Sequence, residues 1–273
     1  MSRTTVQEAL RQSGLAALEA RLLLSYVTGM SKEALLAHGL TELTETQSAH
    51  YLVLTTRRIQ GEPIAYLLGE REFYGRPFKV TPDVLIPRPE TEGLVDLALE
   101  LLGDKADILD LGTGSGAIAI TLSCERPAWQ IVATDNCRHA LAVAKENNLR
   151  HGARVHFVES DWYKGLLADK FRHAFDLIVS NPPYIAADDQ HLRQGDVAYE
   201  PKNALTDHAN GLTALATIIE GARQHLLSGG YLWVEHGYDQ ATQVRGLFHA
   251  AGFHHVRSVA DLAGIERLTG GHI

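Results

Sequence analysis

Residues 181–184 read Asn181, Pro182, Pro183 and Tyr184, directly after the apolar run FDLIVS. Proline has no backbone N–H and continues a buried strand poorly, so the chain ends a strand here and fixes φ at two successive positions. The Asn181 amide oxygen and a proline carbonyl become two hydrogen-bond acceptors on a stiff loop, with Tyr184 as an aromatic wall. Such a corner suits the two hydrogens of a planar NH2 group. The nitrogen of an amide or exocyclic amine is a weak nucleophile because its lone pair is delocalised. A site that accepts both hydrogens aligns that lone pair and disfavours the planar resonance form. Holding the nitrogen in line with an activated methyl is then mainly a matter of orientation, which contributes up to about 7–11 kcal/mol, and no catalytic base is obligatory. A rigid turn with buried prolines is the plain structural alternative.

Three other apolar runs end in residues of chemical interest. The run ADILD ends in Asp110, and Leu111, Gly112, Thr113, Gly114, Ser115 and Gly116 follow, with glycine at alternate positions. Glycines there let the backbone turn sharply and meet a ligand more closely than any Cβ permits, while a helix over 117–126 offers its positive N-terminus. A nucleotide-like ligand is implied, although GTGSGA also satisfies the G-x-G-x-x-A form of a dinucleotide site. The run QIVATD ends in Asp135, nineteen residues after Gly116. A carboxylate there accepts both hydroxyls of a ribose, though alone it reads equally well as a helix N-cap. The run RVHFVES leads into Asp161 and Trp162, an acidic group and a flat indole suited to bracket an adenine by hydrogen bond and stacking. For Trp162 alone, core packing is the ordinary reading.

These positions share one setting. From about residue 90, short apolar runs at 106–112, 130–135, 154–160, 175–181, 231–237, 253–259 and 265–270 alternate with helix-length segments. One such segment, 211–228, places Leu212, Leu215, Ile218, Ile219, Ala222 and Leu226 on one face. Strands apolar on both faces and joined by helices predict an α/β fold, a doubly wound parallel sheet whose ligands bind beyond the carboxyl ends of the strands. The first 70 residues differ, with apolar residues at helical spacing in segments closed by glycine, and with Thr44 and Gln47 forming a capping box. They predict a small all-α N-terminal bundle. Between the two parts, REFYGRPFKVTPDVLIPRPETE carries prolines at 77, 82, 87 and 89 and predicts a hairpin and linker.

Composition narrows the class. A 273-residue chain with 45% hydrophobic and 21% charged residues has an ordinary globular balance. Its net charge of −8 argues against a protein that holds nucleic acid mainly by neutralising phosphates. Cys124 and Cys137 form neither a CxxC pair nor a disulfide framework, and the fourteen histidines show no HxxxH or HExxH spacing, so no metal is expected. The start MSRTTVQEALRQSG lacks the basic and apolar regions of a leader, and no run of about 18 apolar residues occurs. The expectation is a monomeric protein of the cytoplasm. The charged face at Arg57 and Arg58 reads first as a solvated helix face.

Taken together, Asp110 to Gly116, Asp135, Asp161 with Trp162, and NPPY resemble the class I S-adenosylmethionine-dependent methyltransferases that modify planar nitrogen. Within these, VLIPRPETE at 84–92, SNPPYI at 180–185, and EPKNAL at 200–205 followed by Gly211 and Leu212 resemble the protein-glutamine N5-methyltransferases of peptide chain release factors, the PrmC/HemK family. The resemblance runs over nearly the whole chain. It implies a seven-stranded Rossmann-like methyltransferase sheet over 89–273, a hairpin and linker over 71–88, and a helical substrate-recognition domain over 1–70. It implies that Asp110, Gly112, Thr113, Gly114, Ser115, Gly116, Asp135, Asp161, Trp162 and Asn181 contact S-adenosyl-L-methionine. Asn181, Pro182, Pro183 and Tyr184 would hold the glutamine side chain, with Asn181, Pro182 and Tyr184 in the catalytic role, and 87–92 would close the methionine end of the pocket. The implied acceptor is the glutamine of the Gly-Gly-Gln loop in class-I release factors, and the products are N5-methylglutamine and S-adenosyl-L-homocysteine.

Other acceptors compete with this reading. A DNA amino-methyltransferase uses the same type of loop on a flipped base but needs a basic surface and a target-reading domain, for which about ninety residues after Tyr184 leave little room. A glutamine methyltransferase acting on a ribosomal protein shares the motif and differs in substrate selection. A nicotinamide-dependent oxidoreductase or a nucleotide-binding module would leave NPPY idle.

Overall fold

The computed structural model describes residues 4–166, 171 and 174–273. Its internal contacts divide into two units, Met1–Glu70 with Arg193–Tyr199, and Arg71–Leu192 with Glu200–Ile273. The first unit is helical: α1 (Val6–Gln12), α2 (Ala17–Thr28), α3 (Lys32–Ala37), α4 (Glu45–Ile59) and α5 (Ile64–Leu68). Capping boxes at Thr5 with Glu8 and at Thr44 with Gln47 satisfy the free N–H groups that open α1 and α4. Val6, Leu23, Leu24, Leu35 and Leu54 form the centre of its core. Burying a side chain of that size fully contributes about 1.5–3 kcal/mol. Arg57 pairs with Glu62. Arg58 is no free surface cation, for it binds Glu19 at 2.8 Å and Asp196 at 2.7 Å within the same unit.

From Arg71 on, the second unit holds the hairpin of β1 (Glu70–Phe73) and β2 (Arg76–Lys79), joined through Tyr74 and Gly75 at φ 52° and 71°. Two left-handed residues between paired strands match the twist of a tight hairpin turn. The main sheet holds β3 (Asp107–Leu111), β4 (Gln130–Asp135), β5 (Val155–Glu159), β6 (Phe175–Ser180), β7 (Leu226–Glu235), β8 (His254–Ala260) and β9 (Glu266–His272), in the order β5-β4-β3-β6-β7-β9-β8. Helices α6 (Glu92–Leu101) and α7 (Ala117–Glu125) belong to one hydrophobic cluster; α10 (Thr213–Ala222) and α11 (Ala241–Ala250) belong to another. Helices α8 (Arg138–His151) and α9 (Lys202–Leu205) complete the unit. Ile108 of β3 packs in the first cluster and Leu109 and Leu111 in the second, which is why this strand is apolar at successive positions.

Two details depart from the sequence expectation. The sheet is not wholly parallel: β9 runs antiparallel between β7 and β8. Only residues 261–265 join β8 to β9, too few for a crossover, so the strands meet as a hairpin. The helix expected over 211–228 ends at Ala222, and Leu226 opens β7, where it pairs with Phe175 while staying in the same core cluster as Leu215 and Ile218. Among the described residues, no helix is long and apolar enough to cross a membrane.

Candidate active site

The carboxyl ends of β3, β4 and β6 open onto one cavity of about 570 Å³. Its wall includes Gly112, Thr113, Gly114 and Ser115 from the loop after β3, Asp135 from β4, Trp162 from the loop after β5, and Asn181 and Pro183 from the loop after β6. Backbone bonds lock the glycine loop. The N–H groups of Gly112 and Thr113 both donate to the Thr134 carbonyl, at 2.9 and 2.8 Å, and the Gly116 N–H donates to Thr113 at 2.8 Å. Gly112, Gly114 and Gly116 all adopt positive φ. At Gly116 a Cβ would lie 2.6 Å from Ile120 and 3.3 Å from Ala144, so this glycine serves the packing of α7 and α8.

Two carboxylates stand behind the loop. Asp135 accepts the Gly114 N–H on Oδ2 and the Cys137 N–H on Oδ1, each at 2.9 Å. Four lone-pair positions leave it capacity for further donors. Burial raises its pKa, and the N–H groups of Cys137 and Gly114 oppose that shift. Asp110 is fully buried and accepts the Thr113 hydroxyl at 2.6 Å. Burial pushes its pKa up to about 7, against the opposing Thr113 bond.

Beyond Asn181 runs a buried polar chain. Asn181 Nδ2 donates to Thr91 Oγ1 at 3.0 Å, Thr91 Oγ1 donates to Glu235 Oε2 at 2.6 Å, and the Tyr184 hydroxyl donates to Glu235 Oε1 at 3.0 Å. Burial raises the pKa of Glu235. Burial, with Glu235 beside it, holds the Tyr184 phenol well above its usual range. Thr91 falls in the stretch singled out from the sequence, but Glu235 does not. Its signal was a carboxylate ending the buried run YLWVE at the same sheet edge.

Polar contacts also hold the opposite wall. Buried Glu200 accepts the Ile86 N–H at 2.9 Å and binds the Arg88 guanidinium, which joins EPKNAL to the proline-rich stretch. Asp207 lines the cavity and accepts N–H groups from Ala209, Gly211 and Thr213. Burial raises its pKa, but these three donors outweigh it, and the net shift is downward. Gln240 donates to the Tyr184 carbonyl at 2.9 Å, and its Oε1 accepts the Gly237 N–H at 2.8 Å.

Not every candidate lies on the cavity wall. Tyr184 is no aromatic wall there: its hydroxyl reaches Glu235 and its ring packs against the second core cluster. Pro182 is buried behind Asn181 and Pro183. Asp161 points into solvent, bound to Lys164 at 2.6 Å, and is not part of the adenine bracket expected of it. The chain reverses at Trp162, with φ 51°, and this separates the two neighbours. The indole itself reaches the glycine loop, its Cζ3 lying 3.5 Å from a Cβ built at Gly112. Asp110 and Gly116 sit beneath the loop and act through it.

Known proteins share this architecture. A model of the PrmC N-terminal domain matches residues 3–69, and one of the methyltransferase small domain matches residues 94–198. A release factor glutamine methyltransferase of Bordetella pertussis is 50% identical over 272 residues, spanning 99% of this chain and 100% of the relative. The chain belongs to the release factor glutamine methyltransferase family. The family member from Escherichia coli K12 is 45% identical over 254 residues, covering 92% of this chain and 90% of the relative. Likeness of fold reaches further. The crystal structure of a methyltransferase from Pyrococcus furiosus superposes with a TM-score of 0.56 at 18% identity, over 80% of this chain and 96% of that one.

Proposed function

We infer that this member of the family transfers the methyl group of S-adenosyl-L-methionine to the side-chain amide nitrogen, N5, of the glutamine in the Gly-Gly-Gln loop of class-I peptide chain release factors. The observation that carries the reading is the position of the Asn181 carboxamide. It lies on the wall of the same cavity as a left-handed glycine loop and an acidic strand end, in a chain half-identical to a release factor glutamine methyltransferase. The residues fit the cofactor. A cavity of about 570 Å³ is ample for a nucleoside with an amino-acid tail, Asp135 has lone pairs for ribose hydroxyls, Gly114 presents no Cβ, and Trp162 adds a flat apolar surface.

When bound, the cofactor supplies a methyl group on a positively charged sulfur, so no metal is needed to activate the electrophile. Asn181 Oδ1, on the cavity wall, is assigned one N–H hydrogen of the glutamine amide, and the backbone carbonyl of Pro182, whose ring is buried off the wall, is assigned the other. Accepting both turns the nitrogen lone pair out of conjugation and towards the methyl carbon. With the cofactor bound, the nitrogen–carbon bond would form as the carbon–sulfur bond breaks, its electron pair staying on sulfur, while Asn181 holds the amide and the nitrogen sheds one proton to solvent. Orientation of this kind supplies up to about 7–11 kcal/mol of the barrier reduction. A DNA amine as acceptor is disfavoured by the net charge of −8.

Incubation with a purified class-I release factor and isotopically labelled cofactor, followed by mass mapping, tests the reading. The label is expected on the Gly-Gly-Gln glutamine, and a methyl on anything but a glutamine amide nitrogen overturns it. Asn181→Ala is expected to lower kcat far more than it weakens S-adenosyl-L-homocysteine binding, because its contact is made to the reacting group. Loss of cofactor affinity at an unchanged maximal rate would reassign the residue.

A further inference from the structure

Glu235 ends β7 with both carboxylate oxygens occupied, and the transfer step described above gives it no task. It is 1% exposed, and it receives one hydroxyl on each oxygen, Thr91 at 2.6 Å and Tyr184 at 3.0 Å. The protons along this chain can be counted. While Glu235 is ionised it only accepts, so in that state each hydroxyl points its single hydrogen at Glu235. Thr91 Oγ1 then has only lone pairs to offer the Asn181 carboxamide 3.0 Å away. The group of Asn181 that faces Thr91 must therefore be the donor, Nδ2. Turning the carboxamide over would set Oδ1 against an oxygen with no hydrogen to give, a mismatch that depletes the turned form by roughly tenfold to a hundredfold.

We propose that Glu235 and Thr91 are positioning residues which fix the Asn181 carboxamide with Oδ1 towards the cavity, and so make the site selective for a carboxamide over a carboxylate acceptor. The proposal rests on the glutamine-amide reading of the site. Oδ1 in the cavity accepts an N–H of glutamine and repels the oxygen of a glutamate. The turned form would present Nδ2 instead, a donor that welcomes a carboxylate. Selectivity is thus set one and two residues away from the substrate, by an acid that touches neither it nor the cofactor. Thr91 sits between Arg88 and Glu92, and Glu235 lies 144 positions further along, so only the fold makes the pair.

The test compares the affinities of a class-I release factor and of its Gly-Gly-Glu counterpart for the enzyme, measured by calorimetry with S-adenosyl-L-homocysteine present. Wild type is expected to favour the glutamine form. Thr91→Val removes the hydroxyl without changing the shape, and should reduce that preference at least about tenfold. Thr91→Ser keeps the hydroxyl and should restore it. Glu235→Gln carries one donor, and where that donor faces Thr91 it frees the Thr91 hydrogen for Asn181 Oδ1, so this variant should weaken the preference. Melting temperature and S-adenosyl-L-homocysteine affinity are recorded in parallel, to separate a loss of preference from a loss of folding or of cofactor binding. A wild-type preference retained in both Thr91→Val and Glu235→Gln overturns the proposal, as does a Thr91→Ser enzyme that loses it. If Thr91→Val does not fold, Thr91→Ala, which lacks the same hydroxyl, decides. A wild-type enzyme with no preference for the glutamine form would instead sink the glutamine-amide reading itself.

Discussion

Gly211 closes the EPKNAL region against the NPPY corner, and replacing it with alanine should separate rate from cofactor binding. Its φ is +79°, and a Cβ there would lie 2.3 Å from the Tyr184 carbonyl oxygen and 2.9 Å from Gln240 Nε2. Cβ contacts below 3.0 Å are essentially never seen, so the Tyr184 carbonyl must retreat by at least about 0.7 Å, the gap between the two distances. The left-handed backbone adds roughly 1–2 kcal/mol of strain for alanine, and overpacking adds about 1–3 kcal/mol. Unfolding should therefore occur several degrees lower. The displaced carbonyl lies three positions from Asn181, and a misplacement of about 1 Å costs about a hundredfold, so kcat should fall roughly tenfold to a hundredfold. Steady-state methylation of a release factor gives kcat, and titration with S-adenosyl-L-homocysteine gives an affinity expected to stay near wild type. A folded Gly211→Ala enzyme with wild-type kcat, or one impaired only in cofactor affinity, would refute the argument that this glycine holds the catalytic corner in place.

The other expectations concern the glycine loop and its buried acid. No atom lies within 4 Å of a Cβ built at Gly114, which faces the cavity at φ +56°. Gly114→Ala should therefore cost stability only about 1–2 kcal/mol, yet weaken S-adenosyl-L-homocysteine binding at least about tenfold, since the new methyl occupies space into which the ligand must come. Unchanged affinity by calorimetry would remove the loop from the cofactor site. Asp110, with its pKa pushed up to about 7 by burial, keeps a proton in the fold where the unfolded chain, near 3.8, has released it. Its contribution to stability is thus fully present below about pH 4, is lost as pH rises through about 7, and then levels off. Urea unfolding across that range should show wild type losing up to about 4 kcal/mol relative to Asp110→Asn, and parallel curves would show that the carboxyl titrates normally.

Chemistry at a strand end is legible because a parallel sheet delivers its carboxyl ends to one edge, whatever the distance along the chain. Gly112 to Ser115, Asp135, Trp162 and Asn181 reach one cavity for that reason. Tyr184 and Asp161 show where such reading stops. Each sits beside a residue that faces the cavity, and a single left-handed φ at Trp162, or a buried acid waiting behind Tyr184, decides which way its side chain turns. Glu235 and Thr91 were obscure for another reason. Their meaning lies in a hydrogen bond between residues 144 apart, so the proline-rich stretch that holds Thr91 and the strand end that holds Glu235 do not announce each other. In the sheet, apolar runs revealed seven strands but not their directions, because a buried strand is apolar on both faces whether it runs parallel or antiparallel. At Leu226 the helical period continued by coincidence into a strand that buries the same residue in the same cluster.

The strand β9 has a consequence for how the enzyme matures. It is the last strand of the sheet to leave the ribosome, and it lies inside the sheet, between β7 and β8. Glu235 pairs in register with Leu268, and the His236 N–H donates to the Arg267 carbonyl. Until that late segment inserts, β7 has an open border and β8 has no neighbour to pair with. The nascent protein therefore exposes an adhesive row of unpaired amides beside the wall that will orient its substrate. A polypeptide stopped short of β9 lacks the border that pairs the Glu235 end of β7, and its open edge is prone to aggregate.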